Sequence, residues 1–262
     1  MIQASTTAAP EPRRADRPSG GRVRYSICTL VTDLAEYGEM VQSFRERGFG
    51  AADCEFLYLD NSESNAFDAF AGYNLFLTEA AGDYVILCHQ DILLLDQGRP
   101  ALEERLAELD SLDPAWALCG NAGGAETGKL ALRISDPHGS DQAIGPFPAR
   151  AAALDENFIL VRRDANLAVS HDMRGFHLYG ADLCIVADML GRSAYVIDFH
   201  LRHKSAGNTD ARFYAARRAA IAKYRRAFRT RWVRTTCTTF LVSGLPLLGR
   251  ALSSRLGRPF RR

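Results

Sequence analysis

Apolar positions change their period repeatedly along the chain, and each change marks an element. Residues 23–31 (VRYSICTLV) are a β-branched apolar run closed by Thr32-Asp33, which predicts a strand. Over residues 34–47, Leu34, Tyr37, Val41 and Phe44 share one helical face, and Gly48 ends the pattern. Residues 54–59 (CEFLYL) read as a second strand, closed by Asp60-Asn61-Ser62. A second helix is predicted from about 64 to 80, with Phe67, Phe70, Asn74 and Leu77 along one stripe. Residues 83–88 (DYVILC) form a third strand running into His89-Gln90-Asp91, residues 100–112 a charged amphipathic helix, and 116–119 a fourth strand. Strands and helices that alternate in this way imply an α/β fold, a mostly parallel sheet flanked by helices.

The second half is less regular. Residues 120–128 and 135–148 are rich in Gly, Pro, Asp and Asn and read as long loops, which in a compact domain are usually functional or mobile. Strand patterns return at 157–161 and 194–199, with a helix between them over 182–190. An Arg-rich helical stretch follows, then a short apolar stretch broken by Gly244 and Pro246. The expected organisation is a disordered leader over 1–21, one α/β domain over 22–210, and a basic helical, amphipathic tail over 211–262.

Composition changes this picture in one respect. With 262 residues, 47% hydrophobic and 24% charged, the chain is neither disordered, collagen-like nor a disulfide-stapled miniprotein. Its formal net charge of +1 hides an asymmetry, because residues 202–262 hold sixteen Lys and Arg against one acid, Asp210. A tail of that charge suits an anionic partner such as phosphate, nucleic acid or a membrane surface. Basic flanks around an apolar stretch too short to span favour interfacial contact with an anionic membrane, and no nucleic-acid-binding motif is present. The six cysteines form no C-x-x-C pair, and buried thiols in a reducing cytosol are expected. There is no secretory h-region and no run of about 18 apolar residues. The expected location is cytoplasmic, peripheral at the inner face of the membrane.

Ligands of an open parallel sheet sit at the carboxyl ends of its strands. That rule selects 29–33, Asp60-Asn61 and His89-Gln90-Asp91, polar and mostly acidic clusters that suit a nucleotide with a divalent metal. Asp60 and Asp91 could equally be turn residues. No G-x-G-x-x-G or G-x-x-x-x-G-K-[ST] is present, so dinucleotide and P-loop readings lack their glycines.

The runs SICTLVTD, LYLDNS and FAGYNLFLTEAAGDYVILCHQDILLL, followed by LDENFILVRRD and GFHLYGADLCIVADMLGRSAYVIDFHLRHKSAGN, together resemble a GT-A glycosyltransferase of the family 2-like group. The resemblance covers about 24–208. It implies a nucleotide-sugar donor held by Thr29, Asp60, Asn74, His89, Gln90 and Asp91, with a glycan or lipid-linked acceptor near Tyr179; Asp155 and Glu156, which precede a strand, are further candidates for donor or acceptor hydroxyls and could equally be loop surface. His89-Gln90-Asp91 stands where the family places D-x-D, so Asp91 is the firm metal-binding carboxylate. The late His203 is then the expected second ligand, with His89 a further candidate; otherwise His203 is a solvated residue beside Lys204. Carboxylate and imidazole ligands favour Mn²⁺ over Mg²⁺. Where relatives place Glu-Asp this chain has Ala181-Asp182, which makes Asp182 the expected general base of an inverting transfer. Its alternative role is helix N-terminal electrostatics. Two other readings stay open: a nucleotidyltransferase, which lacks its Gly-rich basic phosphate loop here, and a non-catalytic nucleotide-sugar-binding protein on a degenerate transferase fold.

Overall fold

Alternate residues of the central strands point to opposite sides of the sheet, and both sides are apolar. In the computed structural model, which describes residues 23–50, 53–207 and 209–245, β1 (Tyr25–Val31), α1 (Leu34–Phe44), β2 (Cys54–Asp60), α2 (Ala69–Glu79) and β3 (Tyr84–Cys88) follow one another. Strand β4 (Ile92–Leu94), helix α3 (Arg99–Leu112) and strand β5 (Trp116–Gly120) come next. The leader expected over 1–21 and the end of the tail, 246–262, lie outside the described residues.

Val85 and Leu87 of β3 join Phe70, Tyr73 and Phe76 of α2 in one core. Ile86 and Cys88 face the other way, toward Met40 and Phe44 of α1 and Leu102, Leu106 and Leu109 of α3. A strand buried on both faces reads as a continuous apolar run, which is why DYVILC showed no alternation. Each fully buried Phe or Leu contributes about 1.5–3 kcal/mol.

Asp33 caps α1 by accepting from the Ala35 and Glu36 amides, at 2.8 and 3.1 Å. Helix α2 begins five residues later than its apolar spacing predicts. Asp68 is its cap, and the Asn61 side chain holds both backbone groups of Phe67 in the preceding loop.

Beyond β5 the chain is more regular than its composition suggests. Residues 120–128 and 135–148 were expected to be loops. They instead contribute β6 (Ala122–Ala125), the end of β7 (Leu130–Asp136) and β8 (Gly139–Ile144), with β9 (Ala149–Leu154) following. Glycine here permits close approach of backbones: a Cβ on Gly123 would lie 2.3 Å from the Ala153 carbonyl oxygen. Asp136 closes the β7–β8 turn by accepting from the His138 and Gly139 amides.

Strand β10 (Phe158–Arg162), helix α4 (Tyr179–Met189), β11 (Ser193–Val196) and β12 (Leu201–His203) complete the main sheet, whose order is β2-β1-β3-β10-β5-β11-β9-β6-β7-β12-β4, with β8 on β7. The pairs β1–β2, β1–β3 and β5–β11 are parallel, as the α/β reading requires, while β10 enters antiparallel between β3 and β5. Helix α4 starts at Tyr179 rather than 182, immediately after Leu178 in the left-handed region at φ 69°.

The tail is helical only in part. Helix α5 (Ala211–Ala227) is followed by an antiparallel hairpin of β13 (Arg231–Arg234) and β14 (Thr239–Val242). Among the described residues no helix is long and apolar enough to cross a membrane. No disulfide links the six cysteines, and four of them are buried.

Candidate active site

From β1 the chain crosses to β2 on one side and, through α2, to β3 on the other, so the sheet order reverses between β1 and β3. At such a switch point the ligand crevice of an open sheet lies outside the strands' carboxyl ends. Gln90 closes its floor. Its side-chain oxygen accepts from the Thr32 and Asp33 amides at 2.7 and 3.0 Å, and its Nε2 donates to Thr32 and Glu36. Gln90 thus ties the end of β1 and the start of α1 to the turn after β3. Both ends of the amide expected to meet the donor are thus engaged within the protein.

At the same edge β12 runs antiparallel to β4, with His203 opposite Ile92. The Lys204 amide donates to the Asp91 carbonyl at 3.1 Å. This pairing brings His203 beside a turn more than a hundred residues away in sequence. The His203 Nε2 lies 3.4 Å from Asp91 Oδ1 and 3.5 Å from His89 Nδ1. One ligand atom from each of the three residues lies within 4.8 Å of the others.

The surrounding hydrogen bonds settle which His89 nitrogen carries its proton. Tyr179 is buried, and its hydroxyl donates to the Glu156 carbonyl at 2.9 Å. With its one proton used there, the oxygen accepts from Tyr73 at 3.1 Å and from His89 Nε2–H at 3.0 Å. His89 Nδ1 is left as a lone pair facing Asp91 and His203. A hydrogen bond on the far ring nitrogen is the usual means of orienting a ligating histidine.

Burial and the neighbouring His203 lower the His89 pKa, keeping the ring neutral. Burial alone would raise the Asp91 carboxyl, but hydrogen bonds from His203 and Ser205 hold it well below the usual carboxylate range. One ionised carboxylate and two imidazoles at this spacing fit a first-row divalent cation.

The turn between β9 and β10 lies next to this cluster, since the His89 amide donates to the Asn157 carbonyl at 3.0 Å. Asp155 is exposed and within electrostatic reach of His89. Burial, helped by Asp155, pushes the Glu156 carboxyl up to about 8, although amides at the start of α4 oppose the shift. Asp60 ends β2 opposite Val31, exposed at the same edge. Its carboxylate accepts from the Ser62 amide and hydroxyl at 2.8 and 2.6 Å, and these two bonds lower its pKa.

Four further expected site residues are engaged inside the fold. Thr29 is fully buried with its hydroxyl on Cys88 Sγ, so it is not presented to a ligand. Asn74 uses its amide on both backbone groups of Val169, at 2.9 and 3.0 Å, and braces that loop. Tyr179 orients His89 from behind and is not on an acceptor surface. Asp182 is 1% exposed, and its oxygens accept from the Ser170 amide and hydroxyl at 2.7 and 2.6 Å and from the Tyr224 hydroxyl. In this structure the carboxylate expected as general base is thus held by the Ser170 loop and α5.

The bracing role of Gln90 and the Tyr73–Tyr179–His89 relay were missed by sequence reading. Neither leaves a sequence signal, because every partner is distant along the chain. The His89–Asp91 spacing did signal a shared turn.

The sheet order and the helices on both faces define a GT-A-like glycosyltransferase fold, and solved structures share it. The mannosyltransferase PcManGT from Pyrobaculum calidifontis, in complex with GDP-Man and Mn²⁺, is similar at a TM-score of 0.52 and 14% identity, over 79% of this chain and 65% of that one. S. aureus TarS is similar at 0.51 and 13%, over 78% of this chain and 40% of TarS. Its 1–349 fragment in complex with UDP-GlcNAc gives 0.51 and 12%, over 78% of this chain and 67% of the fragment. The chain therefore spans less than two thirds of the mannosyltransferase and of TarS. No family model matches the sequence. The chain is 40% identical over 225 residues to the Fuscovulum blasticum protein described as "ATP synthase subunits region ORF 6", across 84% of this chain and 90% of that protein, and it belongs to that protein's family.

Proposed function

We propose that this chain is a metal-assisted, inverting glycosyltransferase of the family 2-like group. It moves a sugar from a nucleotide-sugar donor to a hydroxyl of a glycan or lipid-linked acceptor, as a step in polysaccharide assembly at the inner face of the membrane. The observation that carries the reading is the convergence of His89 Nδ1, Asp91 and His203 Nε2 at the switch-point crevice.

These three residues would hold a divalent cation, Mn²⁺ in preference to Mg²⁺ because two donors are imidazole nitrogens. When bound, the cation offsets the negative charge that develops on the leaving diphosphate. Tyr179 keeps His89 in the ligating tautomer. Gln90 holds the crevice floor, and Asp60 stands at the rim where the nucleoside would lie. With Asp182 enclosed, the acceptor proton goes to Asp155, the exposed carboxylate beside the cluster. Glu156, largely protonated at neutral pH, donates a hydrogen bond to a sugar hydroxyl.

Incubation with a panel of nucleotide sugars and Mn²⁺ tests the reading through release of nucleoside diphosphate, with and without acceptor extracts. Sugar-dependent release that EDTA abolishes and Mn²⁺ restores is the expected result. Pyrophosphate release from a nucleoside triphosphate, or saturable donor binding with no turnover, would overturn it.

A further inference from the structure

Helix α5 has one face on the protein and a very different one turned outward. Tyr224 points inward to Asp182, and Lys223 pairs with Asp172, so the helix is fastened to the loop before α4. On the outer side, Tyr214, Arg218, Ile221, Arg225 and Phe228 recur at intervals of four and three residues, which is one helical stripe. Its three apolar members are 49%, 58% and 53% exposed. Such side chains are rarely left together on a water-facing helix. Arg217 and Arg229 flank the stripe, and Arg225, Arg226 and Arg229 line a shallow groove on the same helix. Trp232, Phe240 and Val242 of the hairpin add further exposed apolar surface.

We infer that this stripe lies in the interface of an anionic lipid bilayer and brings the crevice to a lipid-linked acceptor. This deepens the proposed function and rests on it only for the identity of the acceptor. Two observations select the occupant. The sixteen bases against one acid over residues 202–262 complement an anionic surface. The bulky apolar side chains between the arginines gain from insertion below headgroups and would gain little from a nucleic-acid backbone. A second copy of the chain would carry the same positive stripe and repel it. Because Tyr224 and Lys223 fix α5 to the loop leading into α4, the membrane-bound face and the crevice keep a set orientation.

The test is flotation of the full chain with vesicles of phosphatidylglycerol and phosphatidylcholine, against vesicles of phosphatidylcholine alone. Binding to the anionic vesicles only, weakened by salt, is expected. Tyr214→Ser with Ile221→Ser, both exposed and neither placed in the site, should lower the partition coefficient at least tenfold. Donor-dependent diphosphate release in solution should be unchanged in that variant, so failure of docking and failure of the transferase reading are read separately. Equal flotation of the variant and the wild type would overturn the inference. So would equal binding to neutral vesicles, a fall in oligomeric mass in the variant without a change in flotation, or release from vesicles by a short nucleic-acid duplex at equal phosphate.

Discussion

Asp91 and Asp182 are two carboxylates set in enclosed polar surroundings, and the sequence offered both as chemical residues. Their environments differ in kind. Around Asp91 stand His203, the Ser205 hydroxyl and the free lone pair of His89 Nδ1, with the ligand atoms of the two imidazoles and the carboxylate close together. Around Asp182 every partner is a donor aimed at the carboxylate: one amide and two hydroxyls. The first arrangement has the donor set of a cation site. The second is complete as it stands, and it joins α4, the loop at Ser170 and α5 into one unit. A buried carboxylate is available for chemistry only where internal donors have not filled its acceptor positions.

The largest effect that sharpens this contrast is expected at Asp91. Asp91→Asn keeps the side chain's size but removes the anionic ligand, and with it several kcal/mol of stabilisation of developing charge. Turnover should fall about 10³-fold, with Mn²⁺ affinity by calorimetry falling in parallel and the melting temperature little changed. Full Mn²⁺ affinity in the variant would remove Asp91 from the metal site.

Asp182 should behave in the opposite way. Asp182→Ala strands three donors, and bonds to a charged acceptor are worth about 1.5–3 kcal/mol each, though not additively. A net loss of about 3 kcal/mol lowers the melting temperature by about 6–12 °C in a domain of this size. Donor binding, measured below that transition, should persist. A large loss of turnover with no change in melting temperature would restore Asp182 as a base and erase the contrast.

The smallest effect concerns Glu156. Its folded-state pKa, about 8, stands above the ordinary value of 4.5. The folded protein therefore holds this proton more tightly than the unfolded chain between those two values. Stability is complete below about pH 4.5 and declines as pH rises toward about 8. Glu156→Gln removes that decline. Its melting temperature should match wild type near pH 4.5 and exceed it at pH 9. Identical pH profiles for the two proteins would show that Glu156 ionises freely.

Much of this molecule was legible in local patterns. The continuous apolar runs and the period-three-to-four stripes placed β1, β2, β3, β5, α1 and α3 within a few residues of their observed bounds. The polar ends of the first three strands marked the edge that carries the crevice. Those features depend on a residue's near neighbours, so sequence alone determines them. The strands β6 to β8 were not legible, because glycines that allow one backbone to approach another look the same in sequence as glycines that form a loop.

Tertiary structure alone decided which polar residues are open to a ligand. His203 enters the cluster through its pairing with β4, His89 receives its tautomer from a tyrosine ninety positions away, and Asp182 is closed by a hydroxyl from α5. The physical reason is that reactivity depends on unfilled lone pairs and exposure, and both are set by partners that only folding brings within hydrogen-bonding distance.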